Sequence, residues 1–305
     1  NEITGCNVGI YIDEDGVGSL VIKENKLWSN GVGIHTYKSN PLIYANIIFQ
    51  NERAISTWAG TCGGGNLCSG VSPTIRKNVI AYNASAPQAT DGTVIHISNT
   101  EAIIDSNLFF LNTAPRLIET GQFSPSINYN NFESNYSENI IYSIEDNIDA
   151  TNNWWGTIDP DSIAELVHDI FDDGNLGTVD YDPFLSSPNI DAPPIPAKNT
   201  IVTETGNDFI SLNWDASEIG DLAGYKLYYD SDESGYPYEN SVDVSNVTSH
   251  TLSSLTLGTT YYLAVTTYDT DGNESWYSNE VSGVTRVMQA QSLDIVGDED
   301  LQHMI

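Results

Sequence analysis

The sequence predicts an all-β chain, a right-handed parallel β-helix of about seven turns followed by a β-sandwich. Three observations predict it. A short Asn-anchored motif recurs along the first half; a proline-rich stretch, Asp191–Ala197, interrupts the pattern; and beyond it apolar residues alternate with period two.

The repeat is anchored at Asn25 (N-K-L-W-S-N), Asn46 (N-I-I-F-Q-N), Asn78 (N-V-I-A-Y-N), Asn107 (N-L-F-F-L-N) and Asn130 (N-N-F-E-S-N), with Asn1 before and Asn152 after. Successive anchors lie 24, 21, 32, 29, 23 and 22 residues apart. The basic coil is therefore 21 to 24 residues, and the two long coils carry insertions at Ala59–Ser72 and Ala84–Gly92. A leucine-rich repeat would need a regular leucine scaffold. Here Leu27, Ile48, Ile80, Phe109, Phe132 and Trp154 hold the matching inward position, which favours short strands. A second strand in each coil aligns Ile10, Ile34, Ile55, Ile95, Ile118 and Ile141 as an aliphatic ladder.

Rungs about 4.8 Å apart place like residues over one another, so Asn30, Asn51, Asn83, Asn112 and Asn135 are expected to form an amide stack at the turn. Cys6 falls in that column and reads as a small buried thiol replacing an amide. After the last coil, Asp159–Asp173 spaces Ile163, Leu166, Val167 and Ile170 as one face of a short helix, expected to cap the open core. Together with Val179, Tyr181 and Pro183–Leu185, this ending resembles that of bacterial right-handed β-helix repeat proteins of the pectate lyase-like superfamily, over residues 1–188 with a capping segment at about 157–188. That superfamily hosts lyases, hydrolases, epimerases, adhesins and coat proteins, so the resemblance implies a fold and names no reaction.

Prolines in Asp191–Ala197 bar regular pairing, and residues 189–198 read as a semi-rigid linker. Alternating runs then return at Ile210–Trp214, Gly224–Tyr229 and Tyr261–Tyr268. Leu255–Val265, with Tyr261 at a strand corner and Trp214 in the core, resembles the corresponding corner of fibronectin type III domains, and residues 199–286 are expected to form one. After Thr285 the pattern dissolves, so residues 287–305 read as a tail leading to a further module. Within the domain, Asp269, Asp271, Asn273 and Glu280 fall at calcium-loop positions, but Glu274 stands where an EF-hand needs glycine. Asp271-Gly272 reads more simply as a tight turn. No cofactor is required; Ca²⁺ is the one the acidic loop suggests.

Lysine and arginine total 10 against 42 acidic residues, a formal charge of -32. Such a surface repels phosphate backbones and anionic lipid, which argues against nucleic acid and membrane partners. No apolar run reaches the length of a membrane span, so no membrane insertion is expected. Cys62 and Cys68 bracket a glycine-rich loop, which suggests a disulfide and hence an oxidising, extracellular or cell-surface location.

On the second strand the residue after each inward isoleucine faces outward, giving the column Tyr11, His35, Ser56, His96, Glu119 and Tyr142. Two residues further on lie Asp13, Tyr37, Trp58, Ser98 and Gly121. Tyr37 and Trp58 then sit on adjacent rungs, and flat apolar rings beside polar groups suit the C–H face of a sugar. Tyr11, His35, Tyr37, Trp58, His96, Glu119 and Tyr142 are the glycan-binding candidates. His96 and Glu119, on adjacent rungs, are the candidate catalytic acid–base pair, and Arg76 and Asp105 stack similarly on the third strand, but surface ion pairing explains both without enzymology. His168, placed in the capping helix, and His250 carry no assigned role. The leading expectation is a secreted or cell-surface modular protein that binds an extracellular polysaccharide, or a surface glycan or protein, along this flank without catalysis. The alternatives are a polysaccharide lyase or glycoside hydrolase, and a structural component of a surface layer or filament.

Overall fold

A computed structural model describes residues 1–13, 20–61, 70–84, 92–144, 147–217 and 219–286. Cys62, Cys68, most of both insertions and the tail from 287 lie outside the described residues.

The first part is a parallel β-helix with three sheets along its axis. The first sheet stacks Glu2–Thr4, Lys26–Trp28, Ile47–Phe49, Val79–Ala81, Leu108–Phe110 and Asn131–Glu133. The second stacks Val8–Asp13, Val32–Tyr37, Arg53–Trp58, Thr93–Ser98, Arg116–Thr120, Asn139–Ser143 and Val167–His168. The third stacks Val21–Lys23, Leu42–Tyr44, Thr74–Arg76, Ile103–Asp105, Ser126–Asn128, Ile148–Asp149 and Val179–Asp180.

Register follows the repeat. Ile10, Ile34, Ile55, Ile95, Ile118 and Ile141 pair in one continuous column, which Val167 extends. With Leu27, Ile48, Ile80, Phe109, Ile43, Ile75 and Ile104 they line a single buried core. Each buried aliphatic side chain contributes about 1.5–3 kcal/mol, and the column allows no slip, because moving one residue would turn the whole apolar set outward.

Two amide ladders brace the turns. Nδ2 of Asn30 donates to Oδ1 of Asn51, Asn51 to Asn83, Asn83 to Asn112 and Asn112 to Asn135, at 2.9–3.1 Å. Each Oδ1 also accepts the backbone N–H of the preceding rung's asparagine. The anchors form the second ladder, Asn1 to Asn25, Asn46, Asn78, Asn107, Asn130 and Asn153. Its last member corrects the expected register, since Asn153 rather than Asn152 continues it. Trp155, not Trp154, then turns inward beside Phe132, ring centroids 5.2 Å apart. The doubled N-N-W-W run fits both phases, and left-handed Asn152 (φ 58°) selects the later one.

Two further expectations change. Cys6 donates its N–H to Asn30 Oδ1 as the column requires, but its thiol is exposed and donates to Thr4 O at 3.5 Å rather than joining the amide stack. The capping helix is short, Pro160–Glu165. Ile163 seals the core, but Val167–His168 joins the second sheet and Ile170 is exposed. Strand pairing with Asn139–Ser143 offers that segment backbone partners that overcome its helical apolar spacing.

The second part is a sandwich. Ile201–Thr205, Phe209–Asn213 and Ser249–Ser253 form one antiparallel sheet. Asn240–Ser245, Leu222–Asp230, Thr260–Asp269 and Val281–Val284 form the other, in that order. Ile210, Leu212, Trp214, Tyr225, Leu227, Leu263 and Val265 are buried, and Tyr261 Oη accepts the Thr256 N–H at 3.0 Å, closing the corner.

The chain divides into two compact units, Asn1–Pro196 with Ser217–Gly224 and Thr266–Trp276, and Ala197–Ala216 with Tyr225–Val265 and the chain from Tyr277. The linker is not free chain within the first unit. Asn189 exchanges hydrogen bonds with Asn131 and donates to Tyr129 O, and Ala192 and Ile195 are buried.

Candidate functional site

The outward face of the second sheet carries the expected columns. Tyr11, His35, Ser56, His96, Glu119 and Tyr142 pair in sequence, and His168 extends them by a rung. Asp13, Tyr37, Trp58 and Ser98 form the parallel column. By contrast, outward residues of the first sheet such as Phe49, Ala81, Leu108 and Phe110 are buried, so they offer no free flank.

Ring geometry separates the candidates. Tyr11 and His35 stack at 5.1 Å with planes 10° apart, and Tyr142 and His168 at 4.7 Å and 10°. Rings on neighbouring rungs at such angles turn their faces toward each other and their edges outward. Tyr142 is further covered by the Arg116 guanidinium, 3.8 Å from its centroid. It is a packed ladder member, not a platform. Tyr37 and Trp58 differ. Their centroids are 5.3 Å apart with planes tilted 59°, and Trp58 is 46% exposed. Lys38 Nζ lies 4.9 Å from the Tyr37 centroid. The Tyr37 ring settles against Gly60 (φ 64°), where any Cβ would stand 2.8 Å from it. Glycine at 60 thus gives the ring its seat.

Glu119 is not a surface group; it is 4% exposed. His96 Nδ1 stands 3.2 Å from its Oε1. Arg116 bonds its Oε2. Burial pushes the Glu119 carboxyl up, but His96 and Arg116 together hold it below the ordinary range. Arg116 was not singled out in the sequence, although its place three residues before Glu119 at the strand's start is the signal. A carboxylate held ionised beside Arg116 and His96 is not a ready proton donor. His35 lies below its usual value through burial and Arg53, opposed by Asp13.

The proposed calcium residues are engaged in different places. Asp269 accepts the N–H and Nδ2 of Asn273, whereas Glu280 accepts Ser234 Oγ, the Gly235 N–H and Tyr238 Oη. Among the described residues no three His, Cys, Asp or Glu side chains gather as a metal site. A shallow cavity of about 440 Å³ on the sandwich is lined by Thr203, Ser211, Asn213, His250 and Thr251, away from the aromatic flank's sequence.

Residues 193–284 match the family model described as the fibronectin type III domain. The sandwich is a fibronectin type III domain. A Kelch domain-containing protein of Saccharolobus solfataricus is 34% identical over 83 residues, 27% of this chain and 11% of that protein, so the chain spans about a tenth of this curated relative. Among solved structures, a human fibronectin type III domain is 23% identical with a TM-score of 0.28, covering 36% of this chain and 99% of the other. The first three type III domains of chicken CNTN1 are 22% identical with a TM-score of 0.27, covering 30% and 31%. The type III domain here keeps the corner tyrosine at Tyr261 and a buried Trp214, whose ring lies 5.6 Å from Tyr225.

Proposed function

We propose that this chain is an extracellular or cell-surface modular protein whose β-helix belongs with the pectate lyase-like fold and binds a neutral glycan at Trp58 and Tyr37. The carrying observation is the half-exposed Trp58 indole tilted beside Tyr37 on a rigid sheet. Such a ring offers a sugar its apolar face, and neighbouring polar groups such as Ser98 supply hydrogen-bond partners. The charge of -32 disfavours polyuronates in the absence of a bridging cation. No helix among the described residues is long and apolar enough to cross a membrane.

A polysaccharide panel with binding and chain-cleavage readouts tests this. Trp58→Ala is expected to weaken binding of neutral glycans by at least about tenfold, roughly 1.4 kcal/mol. Gly60→Ala should weaken it too by displacing Tyr37. Unchanged binding in Trp58→Ala rejects the site, and release of reducing or unsaturated ends would move the reading to an enzyme.

A further inference from the structure

A second surface, independent of the glycan reading, lies on the outward face of the type III domain's four-stranded sheet. Tyr228 comes from the strand Leu222–Asp230, Tyr236 and Tyr238 from the loop that follows, and Tyr277 from the approach to Val281–Val284. The Tyr277 centroid lies 5.0 Å from Tyr228, 5.8 Å from Tyr236 and 5.1 Å from Tyr238. All four rings are half-buried.

The loop that brings them together is pinned. Glu280 accepts Ser234 Oγ at 2.7 Å, the Gly235 N–H at 2.6 Å and Tyr238 Oη at 2.7 Å. Asp230, itself buried, accepts the N–H groups of Ser231 and Glu239. A surface fixed before binding loses less entropy when a partner arrives.

Its rim is acidic. Asp232, Glu233 and Glu239 are exposed, and Lys226 on the same strand is in register with Asp243. Aromatic faces attract guanidinium and ammonium groups, tyrosine is favoured at binding hot spots, and a negative rim selects a positive partner. We propose that this face docks a lysine- or arginine-rich segment of another protein.

The test measures binding of a labelled oligoarginine peptide to the full chain by fluorescence anisotropy, with an oligoglutamate control. Because the whole chain is acidic, the decisive variants keep its charge. Tyr277→Leu and Tyr236→Leu should each weaken binding by at least about fivefold, with unchanged circular dichroism, while Trp58→Ala leaves it intact. Tyr236 lies in the loop, so that variant serves if Tyr277→Leu fails to fold. Equal affinity in folded tyrosine variants would reduce the binding to diffuse charge attraction and overturn the proposal. So would a neutral oligosaccharide that displaces the peptide from this face.

Discussion

Every residue that precedes a ladder asparagine from Asn25 onward has left-handed backbone, from Glu24 (φ 54°) through Gln50 (φ 52°) and Leu111 (φ 51°) to Asn152 (φ 58°). Only Gly5, before Cys6, is a glycine in that place. Such a conformation costs a non-glycine residue about 1–2 kcal/mol. It persists because the next residue's amide is held from four sides. Asn83, for example, donates to Asn112 Oδ1, Ile48 O and Ala81 O while its Oδ1 accepts the N–H and Nδ2 of Asn51. Gln50→Gly, at an exposed position, is expected to raise stability by about 0.5–1 kcal/mol, the relief of strain exceeding the added chain entropy. Asn83→Ala should lower it by about 3 kcal/mol or more, because several buried polar groups lose their partner together. Urea titration of both variants checks the pair, and a neutral Asn83→Ala would refute the account of the ladder. The asparagine stack was legible in the sequence because its spacing recurs. The left-handed residues were not, since Glu, Ser, Ala, Gln and Leu carry no local preference for that backbone and adopt it only when stacked.

In the second sheet, register does the work that no single strand could. Pairing sets His96 beside Glu119 and Tyr37 beside Trp58, as alternation foretold. How the rings tilt was not readable, because alternation says which face a residue takes and nothing of the neighbour it leans on. His168 shows the converse, a residue read as helical that extends the column once Val167 pairs with Ile141. The column also predicts a pH response. Glu119 sits below its unfolded value, so its contribution is present above about pH 4.3 and lost as pH falls through the folded value. His35 is also lowered, so the unfolded chain protonates first and stability declines as pH drops below about 6.5. His35→Gln should therefore flatten the thermal midpoint's decline between about pH 7 and 5, and Glu119→Gln the decline at lower pH. A wild-type slope in either variant would contradict its assignment.

Across the whole chain, 42 acidic against 10 basic residues impose self-repulsion that salt screens. Raising ionic strength from about 0.01 M to 1 M, which shortens the screening length from about 30 Å to 3 Å, should raise the thermal midpoint. A midpoint that falls or stays level would mean that attractive pairs such as Arg76 with Asp105, 3.0 Å apart, outweigh the net repulsion.

Periodic burial and stacking amides are local and repeat along the chain, which is why Ile34, Ile55 and Ile95 could be aligned in advance and why the β-helix and the type III domain were foreseeable. Choices with no period belonged to the folded molecule. Glu119 became a buried ion and Tyr142 a covered ring only when Arg116 and His168 closed on them. Trp58 remained open, and Glu280 left the acidic loop to pin another. Spacing specifies which residues share a rung, but contacts among side chains of the same rung, the next rung or another loop decide which of them still meet solvent.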